Sequence, residues 1–153
     1  AKWPNRTKAV SGEEGCGVMG KGRLQPDFLE RTEAFSDRCV AVAEQLERDG
    51  RFRRLVEQLA ASGSSVGANI AEADECQSLR DFRKCLTIAI KELAETRFWL
   101  RLIVRRGWIE EQRLSPLMLE LEALRKIVGT ILARTRRRAA AGIVEGEASA
   151  DRV

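Results

Sequence analysis

Apolar side chains recur at steps of three and four residues in four separate segments of this chain, and this pattern constrains the fold more than any other feature. In the first segment the repeat of apolar or small residues passes through Phe28, Thr32, Phe35, Cys39, Val42 and Leu46. Such steps place the side chains on one face of an α-helix, whereas a half-buried strand would alternate. The later segments carry the same repeat: Phe52, Leu55, Leu59, Ser62, Val66 and Ile70; Leu79, Phe82, Leu86, Ala89, Leu93 and Leu100; Leu117, Leu121, Leu124, Val128 and Ile131.

Capping boxes predict where two of the helices begin. Asp27 and Glu30 have the required spacing at the start of the first helix, and Ser78 and Asp81 have it at the start of the third. In this motif the two side chains satisfy backbone N–H groups that the first helical turn leaves free. The second helix is expected from about residue 52 to residue 72.

Glycine and proline predict the remaining helix ends. Gly50 ends the first helix and Gly107 ends the third. The fourth begins between Glu110 and Ser115, because Ser115 suits an N-cap and Pro116 the first helical position; an earlier start would leave Pro116 as a kink. Connections this short make consecutive helices antiparallel neighbours. The predicted fold is therefore all-α, an antiparallel up-down-up-down four-helix bundle.

The periodic pattern divides the 153-residue chain into a bundle and two tails. We expect residues 27–135 to form the bundle, and residues 1–26 and 136–153 to be disordered because they lack an apolar period. Residues 1–18 precede Met19 and are a candidate leader that the fold does not need. The net charge of +4 comes mainly from the tails, so the bundle itself is close to neutral.

Composition argues against several classes of site. The chain has no His, and its cysteines, Cys16, Cys39, Cys76 and Cys85, show no C-x-x-C spacing, so we expect no metal, cofactor or small-molecule substrate. Reduced thiols are expected, with Cys39 and Cys85 buried as small apolar side chains. No apolar run approaches the ~20 residues of a membrane span. These features predict a cytoplasmic protein.

The segment Gly63-Ser64-Ser65-Val66-Gly67 matches the G-x-S-x-G nucleophile motif in letters alone. That motif requires a strand-to-helix turn and a histidine base, whereas this segment falls inside a predicted helix and the chain has no His. Glycine costs about 1 kcal/mol in a helix relative to alanine. Gly63 and Gly67, one turn apart, therefore predict a close neighbour on that face of the helix.

Asn69, Glu72 and Glu95 are the polar residues most open to a functional interpretation. Asn69 and Glu72 are three residues apart and share a helical face, and Glu95 lies in the middle of the third helix. They could serve as a carboxylate pair for metal or acid–base chemistry, or as a buried polar network that fixes helix register. The absence of His favours the buried network.

Basic residues gather where the antiparallel arrangement brings two helix connections to the same pole. Some oppose the helix dipole, which invites a functional explanation, although a solvated charged turn explains them equally well. The candidate contacts for nucleic acid or a partner at this pole are Arg48, Arg51, Arg53, Arg54, Arg105, Arg106 and Trp108. A second candidate cluster at the opposite pole contains Arg134, Arg136, Arg137 and Arg138.

The third and fourth helices carry apolar residues away from their main seams. A helix that faces its own bundle alone needs a single apolar stripe, so the additional residues predict self-association, the alternative being ordinary scatter of exposed apolar side chains. The candidate oligomer interface contains Ile88, Ile90, Phe98, Trp99, Ile103, Met118, Leu119, Ile127 and Leu132.

The run from Ser65 to Glu72 (SVGANIAE), followed by Phe82, the run 86–89 (LTIA) and Leu93-Ala94-Glu95, resembles the bacterial 23S rRNA intervening-sequence proteins. The chain departs from the usual family pattern at Ala73 and Glu92. The resemblance implies an up-down bundle that assembles into a ring-shaped homopentamer. One branch is similar to the accessory variability determinant of diversity-generating retroelements, which binds a reverse transcriptase and its template RNA.

Two functions follow as expectations. The first is a non-enzymatic, homo-oligomeric assembly protein that scaffolds a partner. The second is an accessory protein that binds RNA or a ribonucleoprotein and partners a reverse transcriptase. A carboxylate-based hydrolase using Glu72 and Glu95 is a third and weaker alternative, because no base, nucleophile or metal set converges in the sequence.

Overall fold

Four α-helices pack side by side in the computed structural model, which describes the backbone of residues 22–150 and the side chains of residues 22–137. They are α1 (Pro26–Arg48), α2 (Arg53–Glu75), α3 (Leu79–Arg105) and α4 (Glu111–Ala150). Within the described residues there is no strand. Each helix packs against the next in sequence, and α1 also meets α4, which confirms the predicted all-α four-helix bundle.

The bundle core is built from the seams that the sequence predicts. Phe35, Leu59, Leu93 and Leu121, one from each helix, are all essentially inaccessible to solvent. Full burial of a side chain of this kind contributes about 1.5–3 kcal/mol. A second cluster lies toward the other end of the bundle and joins α2, α3 and α4 through Ile70, Phe82, Leu86, Ala89, Val128 and Leu132.

Helices α1 and α2 are in close contact at Gly63 and Gly67. A Cβ atom on Gly63 would overlap the Cβ of Cys39, and one on Gly67 would lie 2.7 Å from Ser36 Oγ. Ser36 Oγ also accepts a hydrogen bond from the Gly67 backbone N–H at 3.0 Å. The predicted close neighbour of the two glycines is therefore confirmed, and it is α1.

The two predicted capping boxes have different outcomes. Ser78 caps α3 and its Oγ accepts a hydrogen bond from the Asp81 backbone N–H at 3.0 Å, as predicted. The box at Asp27 and Glu30 is wrong, because α1 begins at Pro26 with Gln25 as an N-cap that makes no side-chain bond. Proline fixes a helical φ and has no N–H to leave unpaired at the first helical position, and the Phe28 N–H donates to the Gln25 carbonyl at 3.0 Å, so the helix can begin there without a side-chain cap.

The folded region extends beyond both predicted boundaries. Residues 22–25, which the sequence assigned to a disordered tail, contact the end of α2: Leu24 donates its N–H to Asp74 Oδ1 at 2.6 Å. At the other end α4 continues to Ala150 instead of ending at residue 135. Arginine and alanine, which fill residues 136–141, are strong helix formers and need no apolar period to extend a helix. The proposed leader, residues 1–18, lies outside the described residues, as do residues 151–153.

Helix α4 begins earlier than Ser115, so Pro116 lies inside it. The start at Glu111 places Leu114 on the same buried seam as Leu117 and Leu121. Pro116 cannot donate to the carbonyl of Gln112, but Gln112 is exposed and water can replace that bond. Burial of Leu114 explains why the earlier start is favoured.

Gly50 and Gly107 both adopt φ of +65°, which lets the chain leave α1 and α3 sharply. This conformation suits glycine because it has no Cβ.

Across the described part of the chain, α1 to α4 contain no stretch with the length and apolar character that a membrane span requires.

Candidate functional site

The connections α1–α2 and α3–α4 meet at one pole of the bundle around the indole ring of Trp108. The guanidinium carbons of Arg51 and Arg106 lie 5.6 and 5.7 Å from the ring centroid. Arg113 Nη2 from α4 also reaches Gln45 Oε1 on α1 at 3.2 Å. We call the group Arg48, Arg51, Arg53, Arg54, Arg105, Arg106 and Trp108 the basic pole.

The arginines of the basic pole present charge to solvent. All six are exposed, whereas Trp108 is half-buried. Two have carboxylate partners on their own helix: Arg53 Nε lies 2.9 Å from Glu57 Oε1, and Arg48 Nη1 lies 4.0 Å from Glu44 Oε2. Exposed pairs of this kind contribute about 0.2–1 kcal/mol at most, so they hold the arginines weakly.

The ring of Trp108 is covered by two side chains of the basic pole. Two guanidinium groups already lie over its ring at cation–π distance, so a base could stack there only by displacing one of them. The indole therefore positions the arginines. The exposed guanidinium groups of Arg51 and Arg106 can contact phosphate where they stand, whereas stacking of a base on Trp108 requires one of them to move.

The second basic cluster lies far from the first. Arg134, Arg136 and Arg137 are exposed on α4, more than twenty residues after its start at Glu111. At 1.5 Å per residue this separation is about 35–40 Å along the helix. Arg138 lies in α4, but its side chain is outside those described. The two clusters cannot form one local site.

The predicted buried network of Asn69, Glu72 and Glu95 is wrong for the single chain. Glu72 and Glu95 are exposed, and Asn69 is half-buried with its Nδ2 bonded to the Ser65 carbonyl at 2.8 Å. Glu95 accepts a hydrogen bond from Trp99 Nε1 at 3.1 Å on the outside of α3. These positions lie beside the apolar seams, not on them, so the helix turns their side chains toward solvent.

The buried polar side chains are Thr32, Ser62 and Thr96 among the residues whose side chains are described. Small hydroxyl side chains can be buried because a nearby backbone carbonyl satisfies them. The helical repeat places Ser62 on the core face of α2. No sequence signal identifies Thr96 on α3 as its hydrogen-bond partner.

Apolar side chains line an open groove between α3 and α4 with a volume of about 660 Å³. Phe98 on α3 is 57% exposed and Leu119 on α4 is 70% exposed. The Phe98 and Trp99 rings pack edge to face, with centroids 4.8 Å apart and an interplanar angle of 74°. We call this surface the α3–α4 groove; its other apolar lining residues are Ala94, Leu102, Val104, Leu114 and Met118.

Charged side chains form the two rims of the α3–α4 groove. Arg97, Arg101 and Arg105 follow one another along α3, whereas Glu111 and Glu122 lie along α4. Arg97 Nη1 crosses the groove to Glu122 Oε1 at 3.2 Å. The α3 rim is therefore basic and the α4 rim is acidic.

The interface candidates divide between surface and core. Phe98 and Leu119 are exposed, and Ile88, Ile90, Trp99, Met118 and Ile127 are half-buried. Two candidates require correction, because Ile103 and Leu132 are buried within the chain's own core. Helix α3 packs on both α2 and α4, so its buried face is wider than the single stripe assumed from the sequence.

Among the described residues, no group of three or more His, Cys, Asp or Glu side chains is arranged to hold a metal ion. The G-x-S-x-G match at residues 63–67 lies within the helix α2 and not at a strand-to-helix turn, and its two glycines face α1.

The fold and its surfaces define a class of protein: a small all-α bundle with an apolar groove and a separate basic pole. A family model for the 23S rRNA-intervening sequence protein matches residues 26–130, and the chain belongs to that family. The match covers α1, α2, α3 and the first half of α4.

A solved structure supports the same assignment. The chain is similar to a crystal structure of a protein with unknown function from the S23 ribosomal protein family of Bacteroides thetaiotaomicron, with 31% sequence identity and a TM-score of 0.66. The similarity covers 68% of this chain and 96% of that one. No curated protein matches the chain at a significant level.

Proposed function

We propose that this protein is a non-enzymatic assembly protein that associates with copies of itself through the α3–α4 groove and scaffolds a partner. The observation that carries the proposal is the exposure of Phe98 and Leu119 on either side of one continuous groove. Exposed apolar surface that is contiguous, not scattered, is typical of an interaction site.

Charge arrangement supports a second copy as the occupant of the groove. The α3 rim is basic and the α4 rim is acidic, so the α3 edge of one copy complements the α4 edge of the next. A contact between two different edges is heterologous, and repeated heterologous contacts form a closed ring when the rotation between copies closes and an open filament when it does not. This geometry agrees with the ring-shaped homopentamer that the family resemblance implies.

Light scattering on the purified full chain tests self-association. We expect the wild-type protein to have a mass several times that of one chain, and Leu119→Asp or Phe98→Asp to lower it to the mass of a monomer. Phe52→Asp is the matched control, because Phe52 is 69% exposed but lies at the basic pole, outside the groove. A wild-type protein that is monomeric at micromolar concentration would contradict the proposal.

The non-enzymatic part of the proposal is supported by the composition and by the carboxylates. The chain has no His, and Glu72 and Glu95 are exposed without forming a shared buried site. A stoichiometric metal ion in the purified protein would contradict this part of the proposal.

We also propose a second candidate function, RNA or ribonucleoprotein binding at the basic pole, with a reverse transcriptase as protein partner. It is favoured by the convergence of Arg51 and Arg106 on Trp108. Charge-driven RNA binding weakens steeply with salt. We expect Arg51→Gln with Arg106→Gln to weaken binding and flatten its salt dependence, whereas Lys91→Gln, on an exposed mid-helix site, has less effect. An RNA affinity that does not change with salt concentration would exclude this function.

A further inference from the structure

Two free thiols lie in contact where α2 is connected to α3. Cys76 Sγ and Cys85 Sγ are 3.9 Å apart. Cys76 is the C-cap of α2 and is half-exposed, whereas Cys85 lies near the start of α3 and is buried. A disulfide has an S–S distance of about 2.05 Å, so a movement of about 2 Å would join the two sulfurs.

The segment before α1 holds this connection in place. Arg23 donates from Nε to the Cys76 carbonyl at 2.7 Å and from Nη2 to the Gln77 carbonyl at 2.6 Å. Its guanidinium carbon also lies 5.6 Å from the centroid of the Phe82 ring. These contacts fix the backbone that carries Cys76 against the first turns of α3, so the two thiols stay opposed.

We propose that Cys76 and Cys85 form a redox-active dithiol that exchanges with a low-molecular-weight disulfide and closes into an intramolecular cystine. In the first step the Cys76 thiolate attacks glutathione disulfide, forms a mixed disulfide and releases one glutathione thiolate. In the second step the Cys85 thiolate attacks Cys76 Sγ and releases the second glutathione thiolate. The protein loses two electrons and two protons, and glutathione disulfide is reduced to two glutathione thiols.

The environment of each sulfur fixes the order of the steps. Cys76 is half-exposed and can meet the oxidant, whereas Cys85 is buried. The pKa of the Cys85 thiol is raised to about 11, and the main cause is burial. The hydrogen bond to Cys76, the charge of Cys76 and the carboxylate of Glu72 raise it further. Cys85 is therefore mostly protonated near neutral pH, and the closing step accelerates with pH, by roughly tenfold per unit below that pKa.

The cross-link would join residues nine positions apart and tie the end of α2 to α3. Closing a loop in the unfolded chain restricts its conformations and stabilises the folded state. We expect the oxidised protein to melt at a higher temperature than the reduced protein. Intracellular disulfides of this kind are usually transient, which suits a sensor of cellular redox state.

Incubation of the full chain in glutathione redox buffers, followed by alkylation and tryptic mass spectrometry, tests the proposal. Trypsin cleaves after Arg80 and Lys84, so the two cysteines fall on separate peptides that remain joined if the disulfide has formed. We expect the joined pair in the wild-type protein, and expect it to accumulate faster at higher pH. Cys16→Ser is the control that should leave the joined pair intact.

Two variants keep the result interpretable. Cys76→Ser changes a half-exposed residue and should fold normally, lose the joined pair and lose the rise in melting temperature on oxidation. Cys85→Ala should retain glutathione on Cys76 as a stable mixed disulfide, because no second thiol can release it. Absence of the joined pair in the oxidised wild-type protein, or a disulfide that maps to Cys16, would overturn the proposal.

Discussion

The hydroxyl oxygens of Ser62 on α2 and Thr96 on α3 lie 3.1 Å apart and share a hydrogen bond in the bundle core. Both side chains are almost completely buried. Ser62 Oγ donates to the Leu59 carbonyl at 3.4 Å, and the single hydroxyl proton of Thr96 can go either to Ser62 Oγ or to the Glu92 carbonyl 2.8 Å away. This pair is the polar link between the two central helices, and it replaces the network predicted at Asn69, Glu72 and Glu95.

We expect Thr96→Val to lower the free energy of unfolding by about 1–2 kcal/mol, because the shape is kept while Ser62 loses its partner in the core. Ser62→Ala should cost a similar amount. The double variant should be less destabilised than the sum by about 1 kcal/mol, since no unpaired hydroxyl remains. Urea unfolding of the four proteins measures this coupling, and strictly additive losses would show that the two hydroxyls act independently.

Gly63→Ala should destabilise the bundle by about 1–3 kcal/mol, since the new methyl group overlaps the Cβ of Cys39 on the neighbouring helix α1, and a Cβ cannot move without its helix. Gly129→Ala is the matched control. Its added Cβ has no atom within 4 Å, so the higher helix propensity of alanine should stabilise α4 by about 0.5–1 kcal/mol. Thermal and urea unfolding should therefore give opposite signs for the same chemical change. Equal effects would argue against close α1–α2 packing.

Loss of the proton from the buried Cys39 thiol should lower the free energy of unfolding at alkaline pH. Burial, partly opposed by the charge of Arg38, raises the pKa of its thiol from the ordinary value of 9.0 to about 12. The folded state then holds this proton more tightly than the unfolded state, so the stabilisation is complete below pH 9 and is lost as the pH rises toward 12.

The slope of this loss should approach about 1.4 kcal/mol per pH unit. Other groups titrate in the same range, so the measurement is the difference between the wild-type protein and Cys39→Ala, taken by urea unfolding at several pH values. We expect Cys39→Ala to lack the part of the stability loss above pH 9 that comes from the Cys39 thiol. Identical pH profiles for the two proteins would contradict the assignment.

The ion pair between Arg31 and Glu120 joins α1 to α4, the interface with the least contact in the bundle. Arg31 Nε and Nη2 donate to the two carboxylate oxygens at 2.5 and 2.9 Å. The hydrogen bond to Glu120 raises the pKa of the Arg31 guanidinium, although burial opposes it. Arg31 remains partly exposed, so solvent screens the pair.

A double-mutant cycle with Arg31→Met and Glu120→Gln should give a coupling of about 0.5–1 kcal/mol at low salt. At about 1 M salt the Debye length is about 3 Å, and most of this coupling should disappear. Arg31→Lys keeps the positive charge but cannot form the two parallel hydrogen bonds, so at low salt it should retain part of the coupling free energy with Glu120. A coupling that is unchanged by salt would show that packing, not charge, joins α1 to α4 here.

Several elements of this protein could be predicted from its sequence because they depend on local spacing. Steps of three and four place Phe35, Leu59, Leu93 and Leu121 in one core, since the helical repeat is fixed by backbone geometry. Ser78 caps α3 for an equally local reason. Gly63 and Gly67 predict a close neighbour because helical glycine is otherwise unfavourable. The family resemblance rests on the same helices.

The tertiary structure decided which side chains meet across helices and which faces remain uncovered. Ile103 and Leu132 have the same apolar character as Phe98 and Leu119, yet the first two are buried and the last two are exposed. Cys76 and Cys85 come together although neither is in a recognisable motif. Periodicity assigns a residue to a face of its own helix, but the rotation and neighbours of that helix determine what the face contacts. The sequence therefore determined the bundle and its seams, and packing alone decided the groove, the polar link and the thiol pair.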